Sequence, residues 1–404
     1  MPKDSYMRSE SIQIKLDRVI ELAVLLLMAT GTVFVFSAGA TVSGEYDLVR
    51  FYNITILKQL VFFPLAVVVM YAVSAVDYRR FSFTHRPAGY SWTPYLFGVT
   101  VLLLVFVLFA GVERNQSRRW MDLMPGPVYV SFQPSEMAKW VMILFVAGFL
   151  DKYASTLDRF KQRFAPICMV IALVVVLIIK EDFGTAAFIA LISYLLLFVG
   201  GARIIHLLSP LPLMILGFAG AVMMSPTRVN RIKDFLDSST MGYQAKQSLI
   251  AISTGGIFGK GLGQGVIKYG HLPEDTTDFI FSIIAEEMGL VACLFVMLLF
   301  VLFAWAGIAA VLRCKNRFGR LAGIGIVMAV TLQAIINIGV VTVVLPTKGI
   351  PLPFISAGGT SMLLTSAAVG ILLNIARHGQ DADQAAARDI YHKNSAIEEV
   401  GDAG

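Results

Sequence analysis

Between His271 and Glu287 the chain reads HLPEDTTDFIFSIIAEE, five carboxylates in seventeen residues, directly ahead of a long apolar run. Carboxylates placed there can cap a helix whose dipole favours them, or can take a proton from a reacting hydroxyl. Thr276 or Thr277 suits the cap, and Asp278 then falls in the first turn. Glu286 and Glu287 lie about two turns deeper, where at least one must face protein or water. A second cluster is SRRWMDLMPGPVYVSFQPSEMAKW, Ser117–Trp140. It brings Arg118 and Arg119 close in sequence to Glu136 and Lys139, which are three apart and share a helical face. Either that pair is a buried structural ion pair, or it turns Lys139 towards a cavity where a phosphate can sit. In KEDFGTA, Asp182 is a candidate helix cap.

Two further stretches shape backbone. YQAKQSLIAISTGGIFGKGLGQG, Tyr243–Gly265, is an apolar segment of helical period followed by a glycine series. It lacks the Lys-Ser/Thr of a phosphate-binding P-loop, so the glycines read as tight turns beside a substrate. LPTKGIPLPFISAGGTS, Leu345–Ser361, carries Lys348 among three prolines and three glycines. Such a break at membrane depth is tolerated only where it is buried in protein or lines a cavity.

The elements that must hold these residues follow from composition. The 404 residues are 57% hydrophobic and 15% charged, with a mean hydropathy of +0.73, whereas a soluble chain carries about a quarter charged residues. Apolar runs of about twenty residues predict an all-α polytopic membrane protein and exclude a barrel of short alternating strands. Ten spans are expected, beginning near Arg18, Ile56, Tyr95, Pro134, Ala165, Gly184, Ile205, Asp278, Leu321 and Pro353. The first is a retained helix and not a signal peptide. Cys168, Cys293 and Cys314 suggest no disulfide, and no His/Cys cluster suggests zinc.

Charge sets the expected orientation. The loops DYRRFSFTHR, DKYASTLDRFKQRF, GGARIIH and RCKNRFGR are basic and face the cytoplasm by the positive-inside rule. An even number of spans puts both termini there: segment 1–17, a membrane domain over 18–377, and a charged tail over 378–404 that reads as disordered. The extracytoplasmic loop then covers about 225–277. The opposite loops are basic too, at Arg114, Arg118, Arg119, Lys180, Arg228, Arg231, Lys233, Lys246, Lys260, Lys268 and Lys348. Long loops tolerate charge whatever the topology, but cations in short loops point to an anionic partner. On a membrane surface the natural one is a lipid phosphate or pyrophosphate head group and not a nucleic acid.

In order, the chain holds RW…FQPSE.AK, DFGTA, QSLIAI..GG.FGKGLG.G, LPE..TDFIF..IAEE.G and LP.KGIPLPFIS.GG.S. Together they resemble the SEDS family (shape, elongation, division and sporulation) of bacterial cell-wall glycosyltransferases, over about residues 15–377. PTKGIPLPFIS looks more like the FtsW-like division branch than the RodA-like elongation branch. The resemblance implies a ten-helix, GT-C-like enzyme of the cytoplasmic (inner) membrane that polymerises lipid II on the outer face. It implies that Asp278 is the essential loop aspartate, acting as general base on the acceptor's 4-hydroxyl. Arg119 and Lys139 would meet the pyrophosphate, with Arg118, Glu136, Lys348 and Glu274 completing the substrate-binding set. A divalent cation, magnesium or manganese, would ride on the pyrophosphate. A class B penicillin-binding protein, a transpeptidase, would be the partner, beside other division proteins. The chain departs from the family's usual pattern at Glu181, where a proline is common, in SAGG at Ser356–Gly359, where SYGG is common, and near Asp275, where a histidine is common. A lipid II flippase suits ten helices and intramembrane charge equally well, and a scaffold is a third reading. Asp278 discriminates, because only a polymerase needs its proton chemistry.

Overall fold

Apolar runs too long for a soluble core become helices, because in lipid every backbone group must be satisfied within the segment. The computed structural model describes residues 15–39, 54–84, 89–114, 117–124, 130–237, 242–266, 277–346 and 349–378. Its helices are α1 (Leu16–Gly39), α2 (Ile54–Ser74), α3 (Thr93–Ala110), α4 (Pro134–Lys152), α5 (Ala165–Ile179), α6 (Phe183–Val199), α7 (Ile204–Leu208), α8 (Leu211–Met223), α9 (Pro226–Leu236), α10 (Tyr243–Gly255), α11 (Ile280–Arg313), α12 (Arg317–Val341) and α13 (Gly359–His378). Seven spans among the described residues are long and apolar enough to cross a membrane, α7 and α8 together forming one of them, and α2 and α6 are shorter apolar helices. With α4 they account for the ten runs expected from sequence. The first and last charges of α4 dilute its apolar character, and the helix compensates by lying inside the bundle, packed on α3, α6 and α12.

The bundle is graded. In α13, 67% of the span is buried, against 6% in Ile204–Met223, so the first belongs to the core and the second faces outward. α1 lies along α11, and α11 along α12. The structure corrects several sequence boundaries. The connection between α3 and α4 is not plain loop but a three-stranded antiparallel sheet, β1 (Val112–Arg114), β2 (Ser117–Met124) and β3 (Val130–Phe132). α13 starts at Gly359 and not near Pro353, because Pro351 and Pro353 keep the preceding backbone extended or turned. α11 starts at Ile280, so Asp278 precedes the helix. α11 is also broken at Gly289, whose φ of 67° and ψ of −163° only glycine adopts readily.

Where α1 begins and α13 ends, a polar cluster ties the helices together. Arg377 reaches Asp17 (3.4 Å) and Glu21 (3.8 Å). Asn374 donates to the Ser74 carbonyl (2.8 Å) and accepts from the Tyr78 amide (3.0 Å). Burial, reinforced by the neighbouring Cys314 thiol, pushes the Tyr78 hydroxyl up to about 12, so Tyr78 keeps its proton at any physiological pH. All three cysteines are free thiols.

Candidate functional site

Asp278 is half-buried and stands just ahead of α11. The N-cap position of α11 is Phe279, with no side-chain cap hydrogen bond, so neither Thr277 nor Asp278 occupies the cap position that the sequence allowed them, and Thr276 lies outside the described residues. Instead the Asp278 carboxylate lies against the Cα of Gly349, so closely that a Cβ there would overlap Oδ2. Its main chain is fixed from below. Asn337 of α12 donates from Nδ2 to the Asp278 carbonyl (2.8 Å) and to the Ile350 carbonyl (2.7 Å). Ser356 donates to the Thr277 carbonyl and accepts from the Leu352 amide. The 349–356 segment is therefore a strap that runs beside Asp278 and fixes its height. Phe354, buried in that strap, has a φ of +66°, a costly conformation held by its surroundings.

One helix inward, Lys139 is 1% exposed. Its ammonium donates to Glu136 Oε2 (3.0 Å) and Gln333 Oε1 (2.8 Å), and sits 4.9 Å from the Trp140 ring. Glu136 also accepts from Ser361 of α13 (2.7 Å), and Gln333 donates to the Pro351 carbonyl (2.9 Å). Here the structural ion pair that the sequence allowed is the arrangement present, and in this conformation Lys139 meets protein groups on every described side. Its charge supports the strap through Gln333.

The arginines occupy a different wall. Along β2 successive side chains point to opposite faces. Arg118 is accordingly exposed and paired with Glu113 (3.3 Å), whereas Arg119 turns inward to within 3.9 Å of Asp182. Asp182 caps α6 as expected, accepting from the Thr185 amide (3.1 Å), and also accepts from Gln133 (2.7 Å). Both arginines line a small cleft with Glu181, Asp182 and Ser135, above aliphatic side chains that include Leu104, Val107 and Ile178. Arg119 Nε is buried with no hydrogen-bond partner among the described residues. The rim sets two guanidinium groups against the Glu181 and Asp182 carboxylates, above an apolar floor.

Glu286 and Glu287 are both fully buried, and both meet protein: Glu286 accepts from Lys260 (2.6 Å) and Glu287 from Ser37 (2.7 Å). Lys348 and Glu274 lie outside the described residues. The sequence reading did not single out Gln333, Asn337 or Ser361. A signal existed for two of them, because Gln333 and Asn337 are four apart in an otherwise apolar helix and so share one face. Among the described residues, no group of three or more His, Cys, Asp or Glu side chains could hold a metal.

Comparison with known proteins agrees with this geometry. A family model described as cell cycle protein, for FtsW, RodA and SpoVE, matches residues 17–381. Stage V sporulation protein E of Bacillus subtilis is 36% identical over 372 residues, covering 90% of this chain and 98% of that protein. A protein named probable peptidoglycan glycosyltransferase FtsW, from Coxiella burnetii, is 36% identical over 383 residues, covering 91% and 98%. Among solved structures, one described as a peptidoglycan synthase complex coordinating polymerization and crosslinking has a chain that superposes with a TM-score of 0.69 at 26% identity, covering 89% of this chain and 97% of that one. RodA of Thermus thermophilus superposes with a TM-score of 0.62 at 26% identity, covering 89% and 95%.

Proposed function

This chain belongs to the family of FtsW, RodA and SpoVE and is a multi-pass peptidoglycan glycosyltransferase; from that premise we propose that it polymerises lipid II at the outer face of the cytoplasmic membrane, for septal wall synthesis in division. The acceptor's 4-hydroxyl oxygen bonds to the donor's anomeric carbon, and the bond from that carbon to the pyrophosphate oxygen breaks. The hydroxyl proton passes to the Asp278 carboxylate, and undecaprenyl pyrophosphate leaves.

The observation that supports this most is the placement of Asp278. Its carboxylate lies outside the helix, backed by Gly349, while Asn337 holds its carbonyl. That is how a general base is held: the backbone that carries the side chain does not move. Arg119 and Arg118 would take the leaving pyrophosphate beside the aliphatic floor, Arg119 by exchanging its contact with Asp182 for a phosphate oxygen. Lys348, next to Gly349 in sequence, and Glu274, four residues before Asp278, would complete the set. Glu136 and Lys139 would act from beneath, through Gln333 and the strap. A divalent cation bound to the pyrophosphate would neutralise the charge that gathers on the leaving group. The chain has no transpeptidase motif of its own, so a class B penicillin-binding protein would cross-link the strands it makes.

The test is direct. Purified full-length protein, reconstituted with lipid II and magnesium or manganese, with and without its cognate transpeptidase, should yield glycan ladders on a gel. Vesicles in which lipid II only changes leaflet, with no polymer under any condition, would overturn the reading.

A further inference from the structure

Because Gly289 interrupts α11, its first segment, Ile280–Met288, is not aimed by helix continuity. Asn337 and Ser356 hold the start of this segment, and its far end needs a second anchor. The structure supplies it from the glycine loop. The amides of Lys260 and Gly261 donate to the carbonyls of Glu286 (3.0 Å) and Glu287 (2.8 Å), and the amides of Leu290 and Val291 donate to the carbonyls of Gly256 (3.0 Å) and Ile257 (3.3 Å). The loop thus pairs backbone groups on both sides of the break, where lipid or apolar side chains could not. Contact is close enough that a Cβ at Gly255, Gly259 or Gly289 would overlap backbone atoms opposite. The tight turns expected from the glycine series are present, but they lie beside a broken helix.

One side chain clamps the splint. Lys260 Nζ bonds to Glu286 Oε1 (2.6 Å), and the same oxygen accepts from the Val266 amide (3.0 Å). One carboxylate therefore holds the loop where it enters and where it leaves towards Thr277. Glu286 is fully buried and Lys260 half-buried, so the charge is largely shielded from water. Removing Lys260 would take away an ammonium group that lies 2.6 Å from a fully buried carboxylate.

We infer that Lys260 is a positioning residue for Asp278: its ion pair with Glu286 locks the glycine loop onto the severed first segment of α11 and so sets where the Asp278 carboxylate stands. The inference rests on the reading of Asp278 as the general base. A displacement of about 1 Å at a reacting group costs about a hundredfold in rate.

The test uses full-length protein with lipid II. Lys260→Met should lower kcat about 10- to 100-fold while KM stays within about threefold. Amide exchange at 256–261 and 286–291, measured without substrate, should rise about tenfold or more. Lys260→Arg, which keeps the charge and has room in a half-buried site, should restore both. The pair Lys260→Met with Glu286→Gln, which removes both charges, should recover much of the lost kcat and slow the exchange again. An unchanged kcat in Lys260→Met overturns the inference, whether or not exchange rises, as does a lower kcat with unchanged exchange. Full polymerisation by Asp278→Asn would remove the premise instead, and the exchange data would still report on the splint.

Discussion

α1 and α13 run between two polar clusters that use the same chemistry for different ends. Where α1 begins and α13 finishes, Asn374 donates to the carbonyl of Ser74 and accepts from the amide of Tyr78, and Arg377 joins Asp17 and Glu21. Each partner there lies on a helix or a short 3-10 turn, so the network joins regular elements. At the other end Asn337 also donates to two carbonyls, but they belong to Asp278 and Ile350, outside any helix. Glu136, Lys139, Gln333 and Ser361 extend that network under the strap. Buried hydrogen bonds at the first end close the bundle. At the second they hold irregular backbone in one conformation beside a carboxylate, which is the geometry catalysis needs.

The largest effect expected from this contrast is at Asp278. Asp278→Asn keeps size and hydrogen bonding but loses basicity, so polymerisation should fall by about 10²- to 10⁴-fold with an unchanged melting temperature. Near-normal glycan ladders from a well-folded variant would sink the catalytic assignment, and the two ends would then differ in shape alone.

Gly349→Ala comes next. The three atoms nearest the added Cβ all belong to the Asp278 carboxyl group, the free end of a side chain, so the carboxylate and not the backbone must yield. A shift of about 1 Å should cost about a hundredfold in turnover while thermal stability barely changes. Full activity would show that the strap does not set the carboxylate's position.

Arg119→Ala should cost about one to two decades at limiting lipid II, the worth of a charged hydrogen bond of about 1.5–3 kcal/mol. Unchanged turnover there would leave Arg119 as a partner of Asp182 and nothing more.

Much of this contrast was legible in the sequence and part of it was not. The spans were visible because about twenty apolar residues in a row have few other uses. Arg119 and the Glu136–Lys139 pair stood out because charge near a membrane span is costly, whereas Asp278, locally a candidate cap, was singled out by the family resemblance. Three features were hidden by their dependence on distant partners. Gly289 sits in an apolar run like many glycines, and only the loop thirty residues earlier makes it a break. In the β1–β3 sheet the outer strands have only three residues each and pair with β2 through register shifts at Val112/Glu113 and Asp122/Met124, so no regular strand pattern marks it. The start of α11 moved past Asp278 because Asn337 and Ser356 claim the carbonyls of residues 277–278, a tertiary contact that overrides a good local capping sequence.

The smallest effect on activity is expected from Asn374→Ala, and it matters because Asn337→Ala is its matched control. Each asparagine is almost fully buried and each makes two hydrogen bonds to main chain. Truncation leaves two buried backbone groups unpaired in both cases, so each variant should lose about 1–3 kcal/mol of stability and melt earlier by a similar amount. Below the melting transition their activities should part. Asn337→Ala releases the Asp278 carbonyl and the strap, and turnover should fall about tenfold or more through misplacement of the carboxylate. Asn374→Ala loosens only the closure of α13 on α2 and the Tyr78 turn, and turnover per folded molecule should stay within about twofold. Equal losses of activity in the two variants would mean that strain at one end of α13 is transmitted to the other, and the separation of closing and positioning roles would fail.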